Sequence, residues 1–189
     1  MEKKNVILIT DGDQYAYEAV NHVAEQIGGC CISQSSGNPT ALTGEEIVDF
    51  IMKTPCDLVL VMADDCGYRG EGPGEKAIRY IAEYPDIQVL GAVAVASNTD
   101  FREWTRVDVS VERSGELSEF GVDKNGVADL ELGRMDGDTV YVLDDLDLPV
   151  VVGVGDIGKM DGQDTLEKGC PITKKAIEIV LERSGYKRA

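Results

Sequence analysis

Four short, unbroken apolar runs constrain the fold of this chain more than any other feature. They are residues 5–10 (NVILIT), 58–62 (LVLVM), 89–96 (VLGAVAVA) and 149–154 (PVVVGV), with a shorter fifth at 30–33. Runs of small and β-branched residues without polar alternation fit strands buried on both faces, as in parallel sheets covered by helices. Helical spacing fills the gaps between them. Asp13 is a suitable N-cap for a helix carrying Ala16, Ala19, Val20, Val23, Ala24 and Ile27, which Gly28-Gly29 ends. Thr43 and Glu46 form a capping box ahead of Ile47, Val48, Phe50 and Ile51. Pro73 suits the first position of a helix running to about Tyr84, and a last helix starts near Pro171. The expectation is an α/β fold: a single-domain, three-layer sandwich with a mostly parallel, doubly wound sheet. Residues 105–146 break the rhythm. An alternating strand at 105–111, a turn at 122–127 and a short strand at 139–143 predict an irregular, partly antiparallel elaboration within the domain.

At 189 residues the chain fits one domain, and 43% hydrophobic residues are enough for a core. The formal charge of −17 disfavours nucleic acid and bare anionic membrane as partners. No apolar run approaches the ~18–20 residues of a spanning helix, and the start lacks a signal-peptide core. A soluble protein is expected. The five cysteines have no C-x-x-C spacing, which fits reduced thiols better than a disulfide frame or zinc site.

Chemistry concentrates where the apolar runs end. Asp11 and Asp13, Asp64 and Asp65, Asp100 and Asp156 each follow a predicted strand, so a parallel sheet gathers them along its carboxyl edge. Clustered carboxylates repel one another unless a cation neutralises them, and oxygen-only ligation suits Mg²⁺ or Ca²⁺. Asp11, Asp13, Asp64, Asp65 and Asp156 are therefore candidate metal ligands. The competing reading is that Asp simply caps helices and fills turns. Gly67, Arg69, Gly70, Glu71, Gly72, Pro73 and Gly74 form a candidate recognition loop. Their spacing matches neither a P-loop nor a dinucleotide fingerprint. A secondary loop candidate comprises Ser97, Asn98, Lys159 and Asp161. The stretch 156–167 has glycine and methionine where an EF-hand needs oxygen ligands. His22 is the only histidine and sits within the first helix, so no Ser-His or Cys-His pair is evident.

Several ordered blocks resemble a known family. They are 6–13 (VILITDGD), 36–40 (SGNPT), 43–48 (TGEEIV), 65–75 (DCGYRGEGPGE), 95–99 (VASNT), 121–126 (GVDKNG) and 153–162 (GVGDIGKMDG). Together they resemble the stage V sporulation protein AE family, of the soluble AEa type, across nearly the whole chain. The resemblance implies a protein of the developing spore, peripheral to the inner spore membrane. Its partners would be the SpoVA-group membrane proteins, which move dipicolinic acid with its calcium, and its role would lie in germination. The family supplies no catalytic residues to carry over. The alternative from residues alone is a Mg²⁺-dependent enzyme, toprim- or phosphatase-like, acting on a phosphorylated small molecule.

Overall fold

The structure is a computed structural model that describes residues 3–97 and 103–187. The predicted apolar runs form the strands β1 (Lys4–Ile9), β3 (Leu58–Met62), β4 (Ile87–Val95) and β11 (Val151–Val154), and β2 is the short Cys30–Cys31. Helices α1 (Gln14–Ile27), α2 (Gly44–Lys53), α3 (Pro73–Glu83) and α4 (Pro171–Arg183) intervene. The remaining strands are β5 (Trp104–Arg106), β6 (Val109–Val111), β7 (Leu117–Ser118), β8 (Phe120–Val122), β9 (Ala128–Leu132) and β10 (Arg134–Asp136). The main sheet has seven strands in the order β2-β3-β1-β4-β11-β6-β7. Its pairings are parallel except for β6 with β7.

Strands alternate their side chains across the sheet, and each face has its own core. Ile7 and Ile9 of β1 point to the side where Ala16, Val20 and Val23 of α1 meet Ile177 and Val180 of α4. Val6 and Leu8 point to the opposite side, against Ile47 and Ile51 of α2 and Ile78 and Ile81 of α3. Three layers result, as the sequence predicts. The helix starts follow their local signals. Asp13 accepts the Ala16 N–H at 2.8 Å. Thr43 and Glu46 close the capping box on α2, and Pro73 opens α3.

The elaboration completes the α2/α3 layer, where Val107, Val122, Met135, Val140, Val142 and Leu143 join that core. Two details differ from the sequence reading. The alternating stretch 105–111 is two strands: β5 pairs with β10, whereas β6 joins the main sheet beside β11. The chain changes partners at Val107 and Asp108, whose N–H groups donate to Gly133 O and Val151 O. The stretch expected as a strand at 139–143 instead enters a 3₁₀ helix, Tyr141–Asp145. Packing overrides β propensity there: Val142 and Leu143 turn into the core, and the buried Glu75 side chain accepts the Val142 N–H at 3.0 Å. The thiol expectation also needs correction. Cys30 and Cys56 form a disulfide, because pairing of β2 with β3 brings their Cα atoms within 5.8 Å. Cys31, Cys66 and Cys170 are free.

Helix α4 has the least obvious start. Its N-cap, Cys170, is left-handed and offers no side-chain bond. Asp164, fully buried, replaces it from outside the helix. Its carboxylate accepts the N–H groups of Ile172 at 2.8 Å, Thr173 at 3.0 Å and Gly158 at 3.0 Å, and the Thr173 hydroxyl at 2.5 Å. Removing such a hub leaves several buried donors without an acceptor. Asp164→Ala is expected to cost about 3–5 kcal/mol, read by urea denaturation; a cost within the range of an ordinary surface substitution would contradict the clamp.

Candidate functional site on the carboxyl edge of the sheet

Each parallel strand of the core ends at one edge, and the loops after β1, β3, β4 and β11 emerge there together. The β3 loop is fastened at its base from two sides. Thr40 Oγ1 accepts the Asp64 N–H at 2.8 Å, and Thr40 N–H donates back to Asp64 O at 2.8 Å. Thr139 Oγ1 accepts the Asp65 N–H at 2.8 Å, and the Asp138 carboxylate accepts the Gly67 N–H. From this base the loop turns out to solvent: residues 66–71 are exposed, Arg69 among them.

The glycines of the recognition loop have distinct jobs. Gly67 and Gly70 take positive φ values of 69° and 79° in open space. Gly72 and Gly74 provide clearance instead: a Cβ at Gly72 would meet the Asp65 carboxylate at 2.2 Å, and one at Gly74 would meet Asp64 backbone at 2.8 Å. That closeness lets Asp65 reach the start of α3. Its Oδ1 accepts the Gly74 N–H at 2.6 Å and its Oδ2 the Glu75 N–H at 3.2 Å. The anion seat of this helix, where a phosphate would sit, is filled by the protein's own carboxylate.

The five candidate metal ligands therefore divide. Asp65 serves α3. Asp13, Asp64 and Asp156 all lie within electrostatic reach of Asp11 at the β1 end. Lys159 supplies a positive charge among them, with its Nζ 2.6 Å from Asp13 and 3.8 Å from Asp156. Among the described residues, no three His, Cys, Asp or Glu side chains are arranged to hold a metal ion. The secondary loop candidates also separate. Lys159 belongs to the carboxylate group, Asp161 pairs with Arg113 at 2.7 Å, and Ser97 Oγ accepts the Asp138 N–H at 2.6 Å. Asn98 lies outside the described residues, as does Asp100.

The edge carries carboxyl groups whose acidity is suppressed. Burial pushes Asp11 up to about 7, and the charges of Asp13, Asp64 and Asp156 add to it, against a hydrogen bond from the Asp13 N–H. Asp64 rises to about 6, again chiefly by burial, with Asp138 and Asp65 contributing. Burial raises Glu75 to about 7, reinforced by Asp65, Glu103 and Glu71. Asp138, Thr139, Glu75 and Glu103 were not among the sequence candidates. The sequence marks Glu75 only as an acid in the first turn of the helix that Pro73 opens, where it favours the positive helix end, and the others sit in or beside the elaboration, where no local pattern announces their destination.

The sign of the pH effect follows. A carboxyl group whose folded pKa exceeds its unfolded value binds more protons in the native state over the interval between them. Stability from Asp11 is thus fully present below its ordinary value of 3.8 and is lost as pH rises through about 7. Asp11→Asn keeps an acceptor for the Asp13 N–H and removes the buried charge. The variant is expected to be more stable than the parent at pH 8, by about 2–4 kcal/mol, and little changed at pH 4. Urea titrations at the two pH values check this, and an equal effect at both would refute it.

Comparison with known proteins gives one match. No curated protein and no solved structure matches this chain. The sequence profile described as stage V sporulation protein AE1, SpoVAE, matches residues 5–184, from the start of β1 to the end of α4. The match takes in the fastened β3 loop, the elaboration and the Asp164 clamp alike. The chain belongs to the stage V sporulation protein AE1 family.

Proposed function

We propose that this sporulation protein is an accessory subunit of the SpoVA group, docking on membrane proteins of the spore's inner membrane and supporting germination and dipicolinic acid movement. Family membership supports the sporulation setting. Among the described residues no helix is long and apolar enough to cross a membrane, which is compatible with attachment through a partner.

The observation that carries the reading is the hairpin of β8 and β9. Leu130 is 96% exposed and Leu132 64% exposed, and Phe120, opposite Leu132 in register, is exposed beside them. Leucines with so little cover, clustered on a small outlying sheet, are what a protein contact buries. Acidic residues surround them: Asp129 and Glu131 lie on β9, and Glu119 immediately precedes β8. With a net charge of −17, the chain is repelled by anionic lipid, which favours a protein surface with basic flanks over the bilayer itself.

Two measurements test the proposal together. In spores, the protein is expected in the inner-membrane fraction and is lost from it when the genes for the SpoVA membrane proteins are deleted. Leu130→Asp with Leu132→Asp, at positions too exposed to destabilise the fold, is expected to release it in the same way. Identical fractionation in all these backgrounds would overturn the docking role.

A further inference from the structure

A cavity of about 560 Å³ lies at the other end of the carboxyl edge, beside the start of α3. Glu75 and Arg79 of α3, Glu103 and Trp104 at β5, and Tyr141 and Asp145 of the 3₁₀ helix line it, with Gly70 and Glu71 from the recognition loop. It exists because the elaboration stands against α3 through β5 and the 3₁₀ helix and leaves a gap between them.

The lining has a definite chemical bias. Among the described lining residues, four carboxylates face one guanidinium. Arg79 is already committed, with Nε on Glu71 at 2.8 Å and Nη2 on Asp145 at 2.9 Å. Those bonds tie the loop to the 3₁₀ helix and leave Glu75 and Glu103 without the benefit of that charge. Glu75 is only 3% exposed, and the Val142 N–H occupies one of its oxygens, Oε1. Desolvated carboxylates of this kind gain most from a cation that arrives already fitted. Two aromatic side chains, Trp104 and Tyr141, complete the wall together with Val142 and Gly70. The Trp104 ring holds a guanidinium within the fold, that of Arg134, 3.5 Å from its centroid. Aromatic faces beside carboxylates form the usual receptor for ammonium and guanidinium groups.

We propose that this cavity binds an organic cation, an ammonium or guanidinium on an apolar stem, with its charge at Glu75 and Glu103 and its stem against Trp104 and Tyr141. A bare divalent ion finds no use for the rings, and among the described residues no three carboxylates are arranged to hold one. An anion is repelled. The same head group is available on a free diamine and on a lysine or arginine of a partner protein, and the cavity's chemistry serves either.

Trp104 is the chain's only tryptophan and lines the cavity, so its fluorescence reports occupancy directly. The isolated protein is titrated with agmatine, with a neutral glycine-serine peptide carrying one arginine, and with sodium chloride at matched ionic strength. Agmatine and the peptide, or the peptide alone, are expected to give a saturable change, the second pattern assigning the cation to a partner's side chain. Glu75→Gln, which keeps an acceptor for Val142, and Glu103→Gln are each expected to weaken binding about tenfold, with melting curves showing both variants folded. Saturation with agmatine alone would assign the cation to a free small molecule; saturation with neither probe, the same change with sodium chloride, or affinity indifferent to both substitutions would overturn the proposal. The measurement needs no membrane, so its outcome is separate from that of the docking role.

Discussion

The Asp65 carboxylate on the first turn of α3 is the interaction on which the rest of the edge depends. It spans the gap between the end of β3 and the helix that follows, and it satisfies two amide donors that helix geometry leaves over. A charged acceptor at that position also meets the positive end of the helix. For the carboxylate to arrive, the residue passing over it must lack a side chain, which fixes glycine at Gly72, and the close approach of the helix start to Asp64 backbone fixes it at Gly74. The exposed tip of the loop is then a consequence of the anchored base. Thr40 from one side and Thr139 from the other hold the same few peptide groups, so the tip is presented by a frame with little slack.

Local chemistry made much of the fold legible in the sequence. Asp13, the Thr43–Glu46 pair and Pro73 are signals that act within one helical turn, and all three lie where their helices begin. The unalternating apolar runs likewise specify strands covered on both faces, whatever their neighbours. What could not be read was decided by partners distant in sequence. Thr139 finds Asp65 across 74 positions, and Asp164 caps a helix whose own N-cap residue offers no side-chain bond. Cys30 and Cys56 meet only because a two-residue strand pairs with β3. Val140, Val142 and Leu143 carry strand propensity and are placed by packing against α3 instead.

The candidate site was half legible for the same reason. That carboxylates would gather at one edge follows from parallel strands each ending in Asp. What each one does there depends on which cation or amide comes nearest. Asp13 meets Lys159 across 146 positions, Asp65 meets a helix start, and Asp161 meets Arg113. Equal residues at equal strand ends thus acquire different chemistry from the third dimension alone.

The edge consequently has two unlike halves. Around β1 the charges are answered from within: Lys159 sits against Asp13 and Asp156, and burial holds Asp11 and Asp64 toward their neutral forms. Around α3 the arrangement is less complete. Arg79 is drawn to the rim by Glu71 and Asp145, and the deeper Glu75 stays protonated more readily than an ordinary glutamate because burial disfavours its charge and Asp65, Glu103 and Glu71 add to the effect. A carboxyl group in that condition is inexpensive to keep while the cavity is empty, since it need not ionise. It becomes a strong acceptor when a cation enters, since the proton then leaves for solvent. The same burial that makes Glu75 a poor acid alone therefore couples entry of the proposed cation to release of its proton.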